Sequence, residues 1–154
     1  MMISFNRGSS KFNFRTACIV IQNSKVLFQQ TKGQNHWFLP GGRVEFHEDS
    51  LETISREIQE EFGLEVYDKT LVWIVENFFD LEGIKFHEIG FYYLITIDQI
   101  MDFSSEIGIE DGFVTAWIEL DHLNEYNIVP DFLKEELKKI TLAEINIKHI
   151  IVRA

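Results

Sequence analysis

The stretch GGRVEFHEDSLETISREIQEEFGL, residues 41–64, decides how the rest of the chain is interpreted. Asp49 is followed three residues later by Glu52, the acidic form of a helix capping box, and Gly63 stands where a glycine ends many helices. These signals predict an α-helix over residues 49–62. Four apolar residues share one side of this helix and predict a stripe buried against a sheet: Leu51, Ile54, Ile58 and Phe62.

The same helix carries a cluster of acidic residues beside the apolar stripe. Glu57, Glu60 and Glu61 are spaced at i, i+3 and i+4, so they share one face. Like charges repel at this spacing, and partial burial would raise the carboxylate pKa values. A cluster of this kind therefore favours either a counterion or neutralisation.

Two interpretations of the acidic face are open. Glu52, Arg56 and Glu60 follow i, i+4 spacing and can form an ordinary solvated salt-bridge ladder. Alternatively, the turn at Gly41 and Gly42 can offer a backbone carbonyl to a divalent cation, because glycine has no side chain to block its approach. Mg²⁺ prefers oxygen ligands of this type, so turn and helix together form a candidate metal site.

The spacing of the stretch resembles the complete Nudix box. Five residues separate Gly42 from Glu48, and seven more separate Glu48 from the segment REIQEEFGL, residues 56–64. The motif fixes eight positions over twenty-three residues, which makes the resemblance specific. It implies an α/β fold, a single-domain Nudix-like α/β/α sandwich with a mixed sheet. It also implies hydrolysis of a nucleoside diphosphate linked to another moiety, with Mg²⁺ or Mn²⁺ as cofactor.

The resemblance assigns roles to individual residues of this chain. It implies that Arg56 orients the glutamates and that the general base is Glu57 or a glutamate outside the box. For an additional catalytic glutamate, Glu110 fits best, in a long acidic segment before a predicted strand. The implied metal ligands are Gly42 through its carbonyl, Glu48, Glu57, Glu60 and Glu61.

Three residues outside the box are substrate-binding candidates, each with a plainer alternative. Arg15 opens a strand where the family can carry a phosphate-contacting basic residue, although a solvated strand-end arginine fits equally. Trp37 precedes the glycine turn and can line a pocket or simply pack. Glu88 lies among apolar neighbours on one face of a predicted strand and needs a partner if it is buried, yet surface placement is equally open.

Periodicity and turn residues place the remaining elements. Strands are predicted over 14–21, 25–30, 71–79, 85–97 and 113–118, an amphipathic helix over 130–140, and a terminal strand within 145–152. The terminal strand can pair within the sheet or with a second subunit, so a homodimer is one alternative. The length of 154 residues predicts one domain over 1–154.

Net charge and hydrophobic runs indicate which kinds of binding partner to expect. The net charge is −11, from 14 basic and 25 acidic residues, and no basic stripe is present to neutralise nucleic-acid phosphates. A nucleic-acid partner is therefore not expected, nor is a membrane, since no apolar run approaches the ~18 residues of a membrane span. The predicted location is cytoplasmic and the predicted partner a small nucleotide-type diphosphate. The competing hypothesis is a nucleotide-sensing module that keeps the fold without turnover.

Overall fold

The computed structural model describes residues 1–98, 112–140 and 146–154. These residues form two β-sheets, one long helix and several short helical segments. The strands are β1 Ser4–Arg7, β2 Ser10–Ile19, β3 Ile21–Gln22, β4 Lys25–Thr31, β5 Gly41–Arg43, β6 Val66–Leu81, β7 Ile84–Ile97, β8 Phe113–Glu119 and β9 Lys148–Arg153. The helices are α1 Ser50–Phe62, α2 Leu133–Glu136, and 3₁₀ segments at Leu120–Glu125 and Leu137–Lys139.

Helix α1 forms as predicted, with both ends fixed by its caps. The Asp49 side chain accepts a hydrogen bond from the Glu52 amide at 2.8 Å, and the Glu52 carboxylate accepts one from the Asp49 amide at 2.8 Å. Gly63 ends the helix in the left-handed region at φ 68°. The capping box and glycine C-cap are therefore confirmed.

The buried stripe of α1 differs from the predicted one. Thr53, Ile54, Glu57, Ile58 and Glu61 are the buried residues, whereas Leu51 is 42% exposed and Phe62 only half-buried. The prediction for Leu51 is wrong because the buried stripe is rotated around the helix axis toward the glutamates. Two carboxylates consequently face the sheet.

The larger sheet is mixed, as predicted. Its strand order is β1-β2-β7-β6-β9, and β5 pairs with β2 beside this path. The β2–β7 and β6–β9 pairs are parallel, and the other pairs are antiparallel. A second, antiparallel sheet has the order β3-β4-β8. The α/β class with a mixed sheet is thus confirmed.

Alternation along β2 separates two hydrophobic clusters. Cys18 and Val20 pack on one side with Ile54 and Ile58 of α1. Ala17 and Ile19 face the other side, toward a cluster that includes Leu133 and other residues of the short helical segments. The larger sheet therefore has an α1 face and an opposite face, and each candidate residue can be assigned to one of them.

Several elements differ in extent from their predictions. The hairpin β6–β7 is longer than predicted and turns at Glu82 and Gly83, both with positive φ. The helix predicted over 130–140 is split into α2 and a 3₁₀ segment. Strand β9 pairs with β6 within the sheet, which selects the first of the two alternatives for the terminal segment. Among the described helices, none has the length and apolarity needed to cross a membrane.

Candidate active site

The glycine turn and helix α1 meet because position 42 carries no side chain. Strand β5 pairs with β2 so that Gly42 lies opposite Thr16, whose hydroxyl donates to the Gly42 carbonyl at 3.4 Å. A Cβ atom on Gly42 would overlap the carboxyl group of Glu57. Glycine therefore allows this carboxylate to lie directly against the turn.

Arg56 is the centre of the charge network on α1. Its Nε and Nη2 donate to the two oxygens of Glu48 at 2.7 and 3.0 Å, a bidentate pair. Nη1 donates to Glu57 at 2.8 Å and to Glu60 at 3.3 Å, while Nη2 also donates to the Arg43 carbonyl at 3.1 Å. One guanidinium thus ties the strand β5 backbone to three carboxylates, an arrangement consistent with the orienting role that the motif implies.

The carboxylates of this network differ in their ionisation. Hydrogen bonding to Arg56 holds the pKa of Glu48 down at about 2, helped by the Thr53 hydroxyl, which donates at 2.6 Å. Burial instead raises the pKa of Glu57, in spite of opposing interactions with Arg56 and a hydrogen bond with Glu61. Glu48 is therefore a fixed anion, whereas Glu57 can take up a proton more readily than an ordinary glutamate.

The low pKa of Glu48 predicts how stability varies with pH. A carboxylate with a depressed folded-state pKa stabilises the fold above its unfolded value of 4.5, and this contribution is lost as pH falls toward 2. Replacing Glu48 by Gln should lower the free energy of unfolding by about 2 kcal/mol at pH 7, because it breaks a charged bidentate pair. Urea denaturation from pH 7 to pH 2.5 should show the difference from wild type shrinking with acidity.

The control for this prediction is Glu65→Gln, because Glu65 is exposed and follows the helix. This variant should stay within about 0.5 kcal/mol of wild type at every pH. A Glu48→Gln difference that does not change with pH would contradict the assignment.

The donor atoms at this site suit a hard divalent cation. Carboxylates of α1 and a glycine carbonyl are oxygen ligands, and the missing Cβ at Gly42 keeps the space against Glu57 open. Within residues 1–98, 112–140 and 146–154, no group of three His, Cys, Asp or Glu side chains is already arranged to hold a metal. Glu48, Glu57 and Glu60 are instead paired with Arg56, and Glu60 is 45% exposed.

The substrate-binding candidates separate into two places. Arg15 and Glu88 line one pocket, together with Val75, Asn77, Gly90 and Tyr92. This pocket lies on the face of the sheet opposite α1, since Arg15 alternates with Thr16 along β2. Glu88 is buried, and its partner is Asn13.

Trp37 lies elsewhere and does not line this pocket. It forms a β-bridge with Ile128, its ring lies 6.5 Å from that of Tyr126, and it packs against the cluster on the opposite face. Of the two alternatives for Trp37, lining a pocket or packing, its position fits packing. Glu110, the candidate additional catalytic glutamate, lies outside the described residues.

Sequence reasoning did not single out Asn13, Asn77 or Tyr92 as pocket residues. The sequence does contain a signal for Asn13, because it lies two residues before Arg15 and so shares a face of the strand with it. The strand pairing needed to bring Asn77 and Glu88 together could be read only from the structure.

The chain thus combines an α/β fold and a mixed sheet with a glycine turn and a capped acidic helix that meet at one site. The NUDIX domain family model matches residues 12–141. The chain therefore belongs to the Nudix hydrolase family, whose members act on phosphorus-containing anhydrides and generally use a divalent metal.

Relatives with assigned activities point to nucleotide chemistry. The 8-oxo-dGTP diphosphatase of Buchnera aphidicola subsp. Schizaphis graminum is 26% identical over 113 residues, which cover 71% of this chain and 78% of that protein. The 8-oxo-dGDP phosphatase of Danio rerio is 33% identical over 70 residues, 46% of this chain and only 20% of that much longer protein. The crystal structure of the MutT protein from Bacillus halodurans superposes with a TM-score of 0.64 at 25% identity, covering 89% of this chain and 86% of that one.

Proposed function

We propose that the protein is a Mg²⁺- or Mn²⁺-dependent pyrophosphohydrolase that cleaves a nucleoside diphosphate linked to another moiety, such as a nucleoside triphosphate. The observation that carries this proposal is the Glu57 carboxyl, buried against the Gly42 turn and bonded to Arg56. The diphosphatase relative and the acidic surface both favour a small nucleotide over a nucleic acid.

Each residue of the site has a distinct proposed task. The ion would be held by the Gly42 carbonyl, Glu48, Glu57, Glu60 and Glu61. When bound, it would neutralise phosphate charge and acidify a water molecule. Arg56 fixes the carboxylates. Glu57 suits proton uptake from the attacking water because burial raises its pKa, and Glu110 is the alternative base.

The chain also lacks an obvious covalent nucleophile among the residues described by the structure. Cys18, the single cysteine, is fully buried, and burial raises the pKa of its thiol well above the usual value. A buried, protonated thiol is a poor nucleophile. Water is therefore the proposed attacking group.

The test is hydrolysis of a panel containing deoxynucleoside triphosphates, 8-oxo-dGTP, a nucleotide sugar and a dinucleoside polyphosphate, with Mg²⁺ or Mn²⁺ in ¹⁸O-labelled water. We expect cleavage of an internal diphosphate bond, with the label in one phosphorylated product. Nucleoside monophosphates and p-nitrophenyl phosphate serve as monoester controls and should be poor substrates. Strong monoesterase activity would contradict the proposal, and tight nucleotide binding without turnover would favour the sensing module.

Metal binding should also be visible in stability. A ligand that binds only the folded state raises Tm, and at a concentration of one hundred times Kd the stabilisation is about 2.7 kcal/mol. We expect millimolar Mg²⁺ to raise the Tm of the wild type in differential scanning fluorimetry. The double variant Glu60→Gln with Glu61→Gln should suppress most of this rise.

One control accompanies this measurement. K⁺ at matched ionic strength controls for screening of the acidic surface, and it should shift Tm much less than Mg²⁺. A wild-type Tm that does not respond to Mg²⁺ or Mn²⁺, together with no heat of binding in calorimetry, would support the solvated salt-bridge interpretation of the acidic face.

A further inference from the structure

A chain of two hydrogen bonds, the first part-buried and the second buried, crosses three strands and ends at Glu88. The Ser4 hydroxyl on β1 donates to Asn13 Oδ1 on β2 at 2.6 Å. Asn13 Nδ2 then donates to Glu88 Oε2 on β7 at 2.8 Å. Asn13 is 2% exposed and Glu88 is 8% exposed, so solvent contributes little to holding this carboxylate. Asn13 fixes one oxygen of Glu88 and leaves Oε1 available to the pocket.

The same pocket contains a cation that the protein leaves without a carboxylate partner. Arg15 makes no ion pair with any residue that the structure describes, although it lies near both Tyr92 and Glu88. Asn77, the cross-strand partner of Glu88 in the β6–β7 pair, lines the same pocket. The pocket is thus lined by the buried carboxylate of Glu88, the guanidinium of Arg15 and the amide of Asn77.

The register connects this pocket to the proposed catalytic turn. Arg15 lies opposite Arg43, and the adjacent Thr16 lies opposite Gly42 in the β2–β5 pair. The two sites are therefore one strand residue apart, roughly 3.3 Å along the chain, on opposite faces of the sheet. Strand β5 has three residues and, among the described strands, pairs only with β2, so both sites lie beside the same short strand.

We propose that Asn13 is a positioning residue that presents Glu88 Oε1 to an N–H group of the substrate nucleobase, while Arg15 donates to an acceptor on the same base. This inference rests on the proposed function and adds to it the residues that select the base. A polar site of this kind discriminates because an unmatched base leaves a buried carboxylate without a hydrogen bond.

A paired substitution separates positioning from structural support. Asn13→Asp places two carboxylates side by side, so we expect a lower Tm and a loss of base preference. Adding Glu88→Gln to that variant restores an amide–carboxylate hydrogen bond with the two groups exchanged, and the net charge equals that of the wild type. The exchange should recover most of the Tm. Because the amide nitrogen at position 88 then donates to the carboxylate at position 13, the amide oxygen still faces the pocket as an acceptor.

The readout is kcat/KM for the four deoxynucleoside triphosphates and 8-oxo-dGTP, expressed as the ratio of the best to the poorest substrate. We expect single Glu88→Gln to flatten this ratio about tenfold or more, the effect of one lost base contact, because Asn13 then donates to the amide oxygen and the amide nitrogen faces the pocket. The exchanged double variant should recover most of the ratio. KM should carry the change and kcat should vary by less than about threefold, because the pocket is on the face opposite Glu57. Asn13→Ala should flatten the ratio as well, with Glu88 retained.

Each outcome decides between the alternatives. If single Glu88→Gln keeps the wild-type ratio, Asn13 and Glu88 are structural and the proposal is overturned. Wild-type hydrolysis without any base preference overturns it too, while leaving the proposed function intact. If the wild type does not hydrolyse the panel, the dissociation constants of the same nucleotides are compared by calorimetry. A flattened affinity ratio in single Glu88→Gln then supports the proposal, and an unchanged ratio or no binding overturns it.

Discussion

Replacing Glu57 by Gln is expected to lower kcat by about a thousandfold or more while leaving the fold intact. Removal of a general base alone typically removes a factor of about 10² to 10⁴, and Glu57 is also a proposed metal ligand. Folding should not suffer, because burial already disfavours the charge on Glu57 and the glutamine oxygen can still accept from Arg56. Steady-state kinetics with Mg²⁺, circular dichroism and a thermal melt measure both effects.

Two further variants serve as a control and as a second test of this face of α1. Glu65→Gln removes the same charge just beyond the helix, where the side chain is exposed, and should keep wild-type kcat. Glu61→Gln removes the charge of the buried carboxylate next to Glu57 and should reduce kcat strongly. Wild-type turnover in both Glu57→Gln and Glu61→Gln would show that this face of α1 does not perform the chemistry.

Local signals were sufficient to predict the central element of the site. The caps of α1 depend on side chains three residues apart and on one glycine, so sequence alone defined the helix to within a residue. The periodicity of the helix was less informative. Leu51 is exposed although it is apolar, and Glu61 is buried although it is charged, because the buried side of α1 is the side that carries Glu57 and Glu61.

Contacts between distant strands could not be predicted in the same way. Alternation indicated that Glu88 would need a partner, but Asn13 is 75 residues away and becomes its neighbour only through the parallel β2–β7 register. Register depends on how whole faces are buried, and not on any single residue. For the same reason, sequence placed Arg15 and Trp37 in one candidate set, whereas the structure separates them.

Gly42→Ala is expected to reduce both stability and activity, because the added Cβ would occupy the space of the Glu57 carboxyl. Overpacking of this kind typically costs about 1–3 kcal/mol, which urea denaturation can measure. A shift of roughly 1 Å in a catalytic group can reduce turnover about a hundredfold, so kcat should fall even where the variant remains folded. Backbone strain is not the cause, since Gly42 is not among the positive-φ glycines.

A second substitution identifies the cause of the Gly42→Ala defect. Combining it with Glu57→Asp shortens the opposing side chain by one methylene and should recover most of the lost unfolding free energy, because the overlap involves the end of the Glu57 side chain. Turnover should stay low, since the shorter carboxylate no longer reaches its position beside Arg56. Stability that is not recovered in the double variant would mean that the helix, and not the carboxyl group, limits the space at the turn. Full activity in Gly42→Ala would contradict the requirement for close approach between the turn and Glu57, on which the proposed site depends.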